Sequence, residues 1–102
     1  MIHVIANIEV KPGQRDAFLA IFKRNVPNVL AEDGCLAYGP TVDVETGLPP
    51  QVGPRADMVT VVEQWESLEH LRRHLEAPHM KAYKAETRDM VSGVSLQVTE
   101  PA

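Results

Sequence analysis

Val59-Thr60-Val61-Val62-Glu63-Gln64-Trp65-Glu66-Ser67 is a β-branched run that ends on the chain's single tryptophan and passes without a loop into Leu68-Glu69-His70-Leu71-Arg72-Arg73-His74-Leu75-Glu76. The first part reads as a strand from about Asp57 to Trp65, since valine and threonine suit a pleated surface. The second part changes to a helical period, and Ser67 is placed to cap it by offering its hydroxyl to the free amides of the first turn. Alternation puts Val59, Val61, Glu63 and Trp65 on one face of the strand. The helix is expected to bury Leu68, Leu71 and Leu75 and to break at Pro78. A further helix starts there and turns Met80, Tyr83, Thr87 and Met90 or Val91 inward.

Upstream, Ile2 to Val10 alternates as a strand, and Lys11-Pro12-Gly13 punctuates it. From Gln14 the residues Phe18, Ile21, Phe22, Val29 and Leu30 fall at helical spacings. Pro27 predicts a kink or brief break near Asn25 and Val26, and Gly34 supplies a left-handed residue to end the helix. Cys35 to Val44 reads as a second strand, and Gly39-Pro40 within it predicts an edge position or a bulge. Glu45 to Ala56 is a Gly- and Pro-rich connection without reactive groups. Gly93 is expected to end the last helix, with Val94, Leu96 and Val98 alternating as a final strand. The order β-α-β-β-α-β predicts an α+β, ferredoxin-like domain over residues 1–102, a four-stranded antiparallel sheet with helices on one face.

With 102 residues, 44% of them hydrophobic and 24% charged, the chain matches one globular domain. A net charge of −4 gives no electrostatic reason to bind nucleic acid or an anionic membrane. Cys35 is the only cysteine and has no internal disulfide partner. Met1-Ile2-His3-Val4 lacks a secretion signal, and the expectation is a cytoplasmic protein. The first strand is apolar on Ile2, Val4, Ala6 and Ile8 and partly on Ile5, and the third is apolar on both sides. A monomer would leave one such face wet. A homodimer is therefore expected, its sheets meeting through Ile2, Val4, Ala6 and Ile8 or their alternates.

Glu63-Gln64-Trp65-Glu66-Ser67 followed by His70-Leu71, His74-Leu75 and Pro78-His79-Met80-Lys81-Ala82-Tyr83 closely resembles the antibiotic-biosynthesis monooxygenase superfamily, and within it the bacterial quinol (menadiol) monooxygenases. Val26-Pro27-Asn28-Val29-Leu30, Glu32-Asp33-Gly34-Cys35 and Tyr38 to Asp43 extend the likeness over almost the whole chain. The resemblance implies a dimeric α+β barrel with a pocket between sheet and helices in each subunit. It also implies oxidation of quinol-type aromatics by O2 with no metal or flavin. In the haem-degrading branch the pocket uses an asparagine, a tryptophan and an iron-ligating histidine. Asn7 matches the first of these, but His74 and Lys84 stand at the other two positions. A protonated lysine cannot replace imidazole on iron, so haem degradation is not expected.

Each candidate residue carries two readings. Trp65 is core or pocket wall: large aromatics usually pack, and the resemblance sets the wall reading level with the core one. Glu63, on the same face, reaches the rim, pairs with a base, or serves the pocket. His70 and His74 stand at i, i+4, but no HExxH pattern accompanies them and no metal site is expected. The leucine stripe turns His70 to solvent and sets His74 beside the pocket. His79 lies in the first turn after Pro78, where the helix dipole disfavours imidazolium and a neutral base is favoured. Tyr83, one turn later, packs in the core or orients substrate. Asn7 is the candidate to hold a substrate oxygen, since an amide on an apolar strand needs a partner. Val61, Met80 and Ile5 are expected to line the pocket.

The catalytic set is thus His79, His74, Asn7 and Trp65, with His79 slightly ahead as the base. The protein would supply a base, an oxyanion donor and dry walls to a hydroquinone that itself reduces O2. Two other functions fit the residues: an isomerase or hydrolase acting on a small carbonyl metabolite, and a non-catalytic dimeric quinone-binding module.

Overall fold

The computed structural model describes all 102 residues. Its elements are β1 (Ile2–Val10), α1 (Arg15–Leu30), β2 (Cys35–Thr41), β3 (Met58–Trp65), α2 (Leu68–Glu76), α3 (Pro78–Thr87) and β4 (Val91–Thr99). The strands form one antiparallel sheet in the order β2-β3-β1-β4, the ferredoxin-like arrangement. β2 is an edge strand, which suits its internal Gly39-Pro40, and it carries a register shift nearer its start, between Cys35 and Ala37.

Register decides which face of each strand is covered. Val4, Ala6 and Ile8 pair with Glu63, Val61 and Val59, so these residues share one face. That face is buried beneath the helices, with Phe18, Phe22 and Val29 of α1, Leu71 of α2 and Met80 and Tyr83 of α3 completing the core. The opposite face carries His3, Ile5, Asn7 and Glu9 from β1 and Thr60, Val62 and Gln64 from β3, and no helix covers it. Of the two faces expected to form a dimer, the Ile2, Val4, Ala6, Ile8 set is therefore occupied by the protein's own helices. Only the alternates remain available.

Several local expectations are corrected. α1 runs unbroken through Pro27. Pro27 and Lys23 are both on the exposed side, where water can bind the carbonyl that proline leaves unpaired. In α2, Leu68 and Leu75 are 42% and 39% exposed, and the buried positions are Leu71 and His74. α3 ends at Thr87, well before Gly93, whose place is inside β4 opposite Glu9 and next to a register shift. β2 stops at Thr41, short of Val44. Ser67 caps α2 as expected, its Oγ accepting the His70 amide at 3.3 Å.

His70 is not solvated in the way its helix position suggests. Its Nδ1 lies 2.6 Å from Ser67 Oγ, and its ring packs over Gly34. Gly34 has φ +80°, four residues past the end of α1, and a Cβ there would come within 2.2 Å of His70 Cδ2. Gly34→Ala is thus expected to cost about 1–3 kcal/mol for the left-handed backbone alone, with more from the displaced ring. Denaturant melts of Gly34→Ala with and without His70→Ala measure the two parts, and additive effects would show that the ring is not in contact.

Candidate functional site

The helix face of the sheet does not close completely. α1 packs over β2 and α3, and α2 over β3 and α3, so the helices leave the β4 side open. Val94 and Leu96, which share the covered face with Ile8 and Ala6, are 65% and 49% exposed. Between this side of the sheet and α2–α3 lies a cavity of about 550 Å³, within the range of small-molecule sites. Ala6, Ile8, Val61, Val94 and Leu96 form its floor, with Met80, Tyr83, Thr87 and Leu75 opposite. Phe22 and Tyr38 close one end, and Glu63, His74, Lys84 and Arg88 bring polar groups to it.

His74 is the best-held polar group there. It is 1% exposed, and its ring meets Trp65 at 4.7 Å and the edge of Tyr38 at 5.4 Å between centroids. Nδ1 sits 2.8 Å from Glu32 Oε2. A carboxylate only accepts, so Nδ1 carries the hydrogen and Nε2 keeps its lone pair free. Burial pushes the His74 pKa down, against the opposing pull of Glu32. The group is thus biased towards neutral imidazole, the form a base needs.

Trp65 is fully buried behind His74 and donates from Nε1 to Glu63 Oε1 at 2.9 Å. Burial raises the Glu63 carboxyl above its ordinary value, with the Trp65 hydrogen bond opposing, and so favours the neutral acid. Tyr38 and Tyr83 are likewise pushed up, foremost by burial, and keep their hydroxyl protons. Phe22 stacks on Tyr38 at 5.6 Å and meets the edge of Tyr83 at 5.5 Å, fixing both phenols against the cavity.

His74, Glu63, Val61, Met80 and Tyr83 of the expected set therefore come together around one cavity, with Trp65 immediately behind. Three others do not join them. Asn7 and Ile5 lie on the opposite face of the sheet, because Ala6 and Ile8 take the covered side. There Asn7 Oδ1 accepts a hydrogen bond from its cross-strand neighbour Thr60 at 2.8 Å. His79 lines a separate groove of about 190 Å³ between α1 and α3, with Asn25, Asn28 and Glu86. Its Nε2 lies 3.3 Å from Glu32 Oε2 but is misaligned, leaving both ring nitrogens without a hydrogen bond. Glu32 touches both imidazoles, yet no group of three His, Cys, Asp or Glu side chains is placed to hold a metal ion.

Glu32 and Tyr38 are the residues that sequence reasoning passed over. Glu32 follows α1 directly and looks like a solvated turn residue, and its partner is 42 positions away. Only the family likeness of Glu32-Asp33-Gly34-Cys35 and of Tyr38 to Asp43 marks the region in the sequence.

The Glu63 shift has a sign that can be tested. A carboxyl whose pKa is raised in the folded state stabilises the fold fully below the ordinary carboxylate value. That contribution is lost as pH rises through the raised value. Glu63→Gln keeps an acceptor for Trp65 and cannot ionise, so the Tm of the variant minus that of the parent is expected to increase with pH. Each kcal/mol corresponds to roughly 4–8 °C in a domain of this size. Thermal melts from pH 4 to 8 that show a constant difference would place Glu63 in a polar setting.

Comparison with known proteins gives a consistent result. The family model described as antibiotic biosynthesis monooxygenase matches residues 1–86. "Probable quinol monooxygenase YgiN" of Escherichia coli K12 is 42% identical over 103 residues, covering 99% of this chain and 98% of that protein. The Shigella flexneri protein of the same name matches to the same extent. Among solved structures, PA3566 from Pseudomonas aeruginosa aligns with a TM-score of 0.81 at 22% identity, over 99% of this chain and 93% of that one. Rv0793 from Mycobacterium tuberculosis aligns at 0.80 and 24%, over 99% and 94%. At these identities the two structures share the fold. No helix of the chain is long and apolar enough to cross a membrane.

Proposed function

This chain is an enzyme of the antibiotic biosynthesis monooxygenase family, and we propose that it oxidises a quinol with O2 in the cavity beside His74. The observation that carries the reading is an oriented, buried imidazole with a free Nε2 on the wall of an otherwise largely apolar cavity.

His74 Nε2 accepts the proton of one quinol hydroxyl, and Glu32 steadies the imidazolium through Nδ1–H. The phenols of Tyr38 and Tyr83, kept protonated by burial, donate to the quinolate oxygen. The quinolate passes one electron to O2, and semiquinone and superoxide combine through a new bond from oxygen to a ring carbon. The imidazolium returns its proton to the peroxide. The O–O bond then breaks, one oxygen stays as a carbonyl, and the other leaves as water with the ring hydrogen. Quinol and O2 thus give hydroxyquinone and water. The substrate supplies all four electrons that O2 takes up, so the reading requires no resident flavin or metal.

The test is oxygen uptake over a panel of hydroquinones, with uncatalysed autoxidation subtracted and the product labelled from ¹⁸O2. Uptake above background with one labelled oxygen in the product is the expected result, from protein that is colourless and insensitive to chelators. Tight quinone binding without uptake would replace the enzyme reading by a quinone-binding one.

The reading includes a homodimer whose sheets meet through the uncovered face, around Ile5 and Val62, which are 39% and 43% exposed in the single chain. Such an interface is expected to bury over about 1,000 Å² in total. Sedimentation at micromolar concentration should give twice the chain mass, and Ile5→Lys with Val62→Lys should shift the species towards monomer. A wild-type chain that sediments as a monomer would remove the dimer from the proposal.

A further inference from the structure

Two cations at the open side of the cavity have no acidic partner. Lys84 on α3 and Arg88, its capping residue, stand one turn apart and both line the cavity. Their neighbours on α2 and α3 are paired: Arg72 with Glu69, Arg73 with Asp33, and Lys81 with Glu76. In a chain of net charge −4, two unpaired cations at one cavity are a local reversal of sign. The acidic groups of the site are elsewhere, with Glu63 on the Trp65 side and Glu32 behind His74.

We infer, on the basis of the quinol reading above, that the substrate is an aromatic diol bearing a carboxylate, which Lys84 and Arg88 hold at the mouth while the diol end reaches His74. The lining is largely apolar, with Val61 and Leu96 along the floor, while Lys84 and Arg88 are exposed and His74 is buried. An aromatic body with one anionic end fits that sequence of environments, and it enters in one orientation only. The carboxylate is disfavoured at the inner end, where burial already pushes the Glu63 carboxyl towards its neutral form, and is attracted to the mouth. A guanidinium and an ammonium one turn apart offer charge-assisted hydrogen bonds to both carboxylate oxygens.

The same contact reaches the base. Burial foremost, and the Lys84 charge among smaller causes, holds His74 down. A carboxylate seated on Lys84 offsets that positive charge, so His74 accepts the substrate proton more readily in the loaded site than in the empty one.

The test compares a naphthohydroquinone with its ring-carboxylated counterpart, and separately titrates the two oxidised quinones by calorimetry, which needs no turnover. The wild-type protein is expected to bind the carboxylated quinone at least about tenfold more tightly, as charged hydrogen bonds warrant. The same ratio should appear in kcat/KM and shrink with added salt. In Lys84→Gln/Arg88→Gln the ratio should fall close to one, while Lys84→Arg/Arg88→Lys should keep it. Equal wild-type affinities, or a preference that survives the double glutamine variant, would overturn the inference. Absence of turnover with both quinols would instead count against the quinol reading, and the calorimetric ratio would still decide the charge preference.

Discussion

His74→Ala is expected to lower the chemical rate of quinol oxidation on the order of 10²-fold or more, the usual contribution of a positioned base. The variant loses the only imidazole that lines the larger cavity. It also leaves Glu32 facing a void, so folding must be checked beside the rate. His74→Gln restores a donor to Glu32 without a basic nitrogen, and its rate should stay low while its stability recovers. The other histidines provide the comparison. His79→Ala should cost less, because that ring borders the groove between α1 and α3. His70→Ala should leave the rate nearly unchanged and lower only stability, through its contact with Gly34. Single-turnover kinetics that find His79→Ala slower than His74→Ala would move the base to the other side of Glu32.

Trp65→Ala is expected to destabilise the fold by about 3–5 kcal/mol, the range for removing a fully buried large aromatic. That is a large share of the roughly 5–15 kcal/mol available to a domain. The indole also supplies the N–H that Glu63 Oε1 accepts, and its loss leaves a buried carboxyl without that donor. Trp65→Phe separates the two effects, since it keeps much of the volume and removes the hydrogen bond. Urea unfolding should rank the proteins wild type, Trp65→Phe, Trp65→Ala in falling stability. A cost below about 1 kcal/mol for Trp65→Ala would mean that the wall of the cavity collapses to fill the space.

The strands and their order were legible because period-2 alternation and turn residues are local signals, and Ser67 and Pro78 announce α2 and α3 in the same way. Which face of β1 is covered was not legible. Ile5 and Ala6 are both apolar, so neither set of alternate residues is marked as buried. The pairing of Ala6 with Val61 settles it and carries Asn7 to the far side. In α2 the leucine stripe suggested Leu68 and Leu75 as core. The structure instead buries His74, one turn after Leu71, because Glu32 accepts its Nδ1–H and Trp65 packs against the ring. Such a partner, 42 residues distant, leaves no periodic trace in the sequence. The same holds for the unbroken helix at Pro27, whose tolerance depends on which side of α1 meets water.

The pairing of Trp65 with His74 also gives the protein an optical readout of its own site. The chain has one tryptophan, so its emission comes from a single indole, shielded from water and 4.7 Å from the imidazole. Protonated imidazole quenches indole fluorescence by accepting charge from the excited ring, whereas the neutral form quenches weakly. The emission should dim as pH falls through the His74 titration, and it should dim again when a light-absorbing quinone enters the cavity. Base protonation and ligand occupancy can therefore be followed in the unlabelled protein, with His74→Gln as the reference in which only the second change remains.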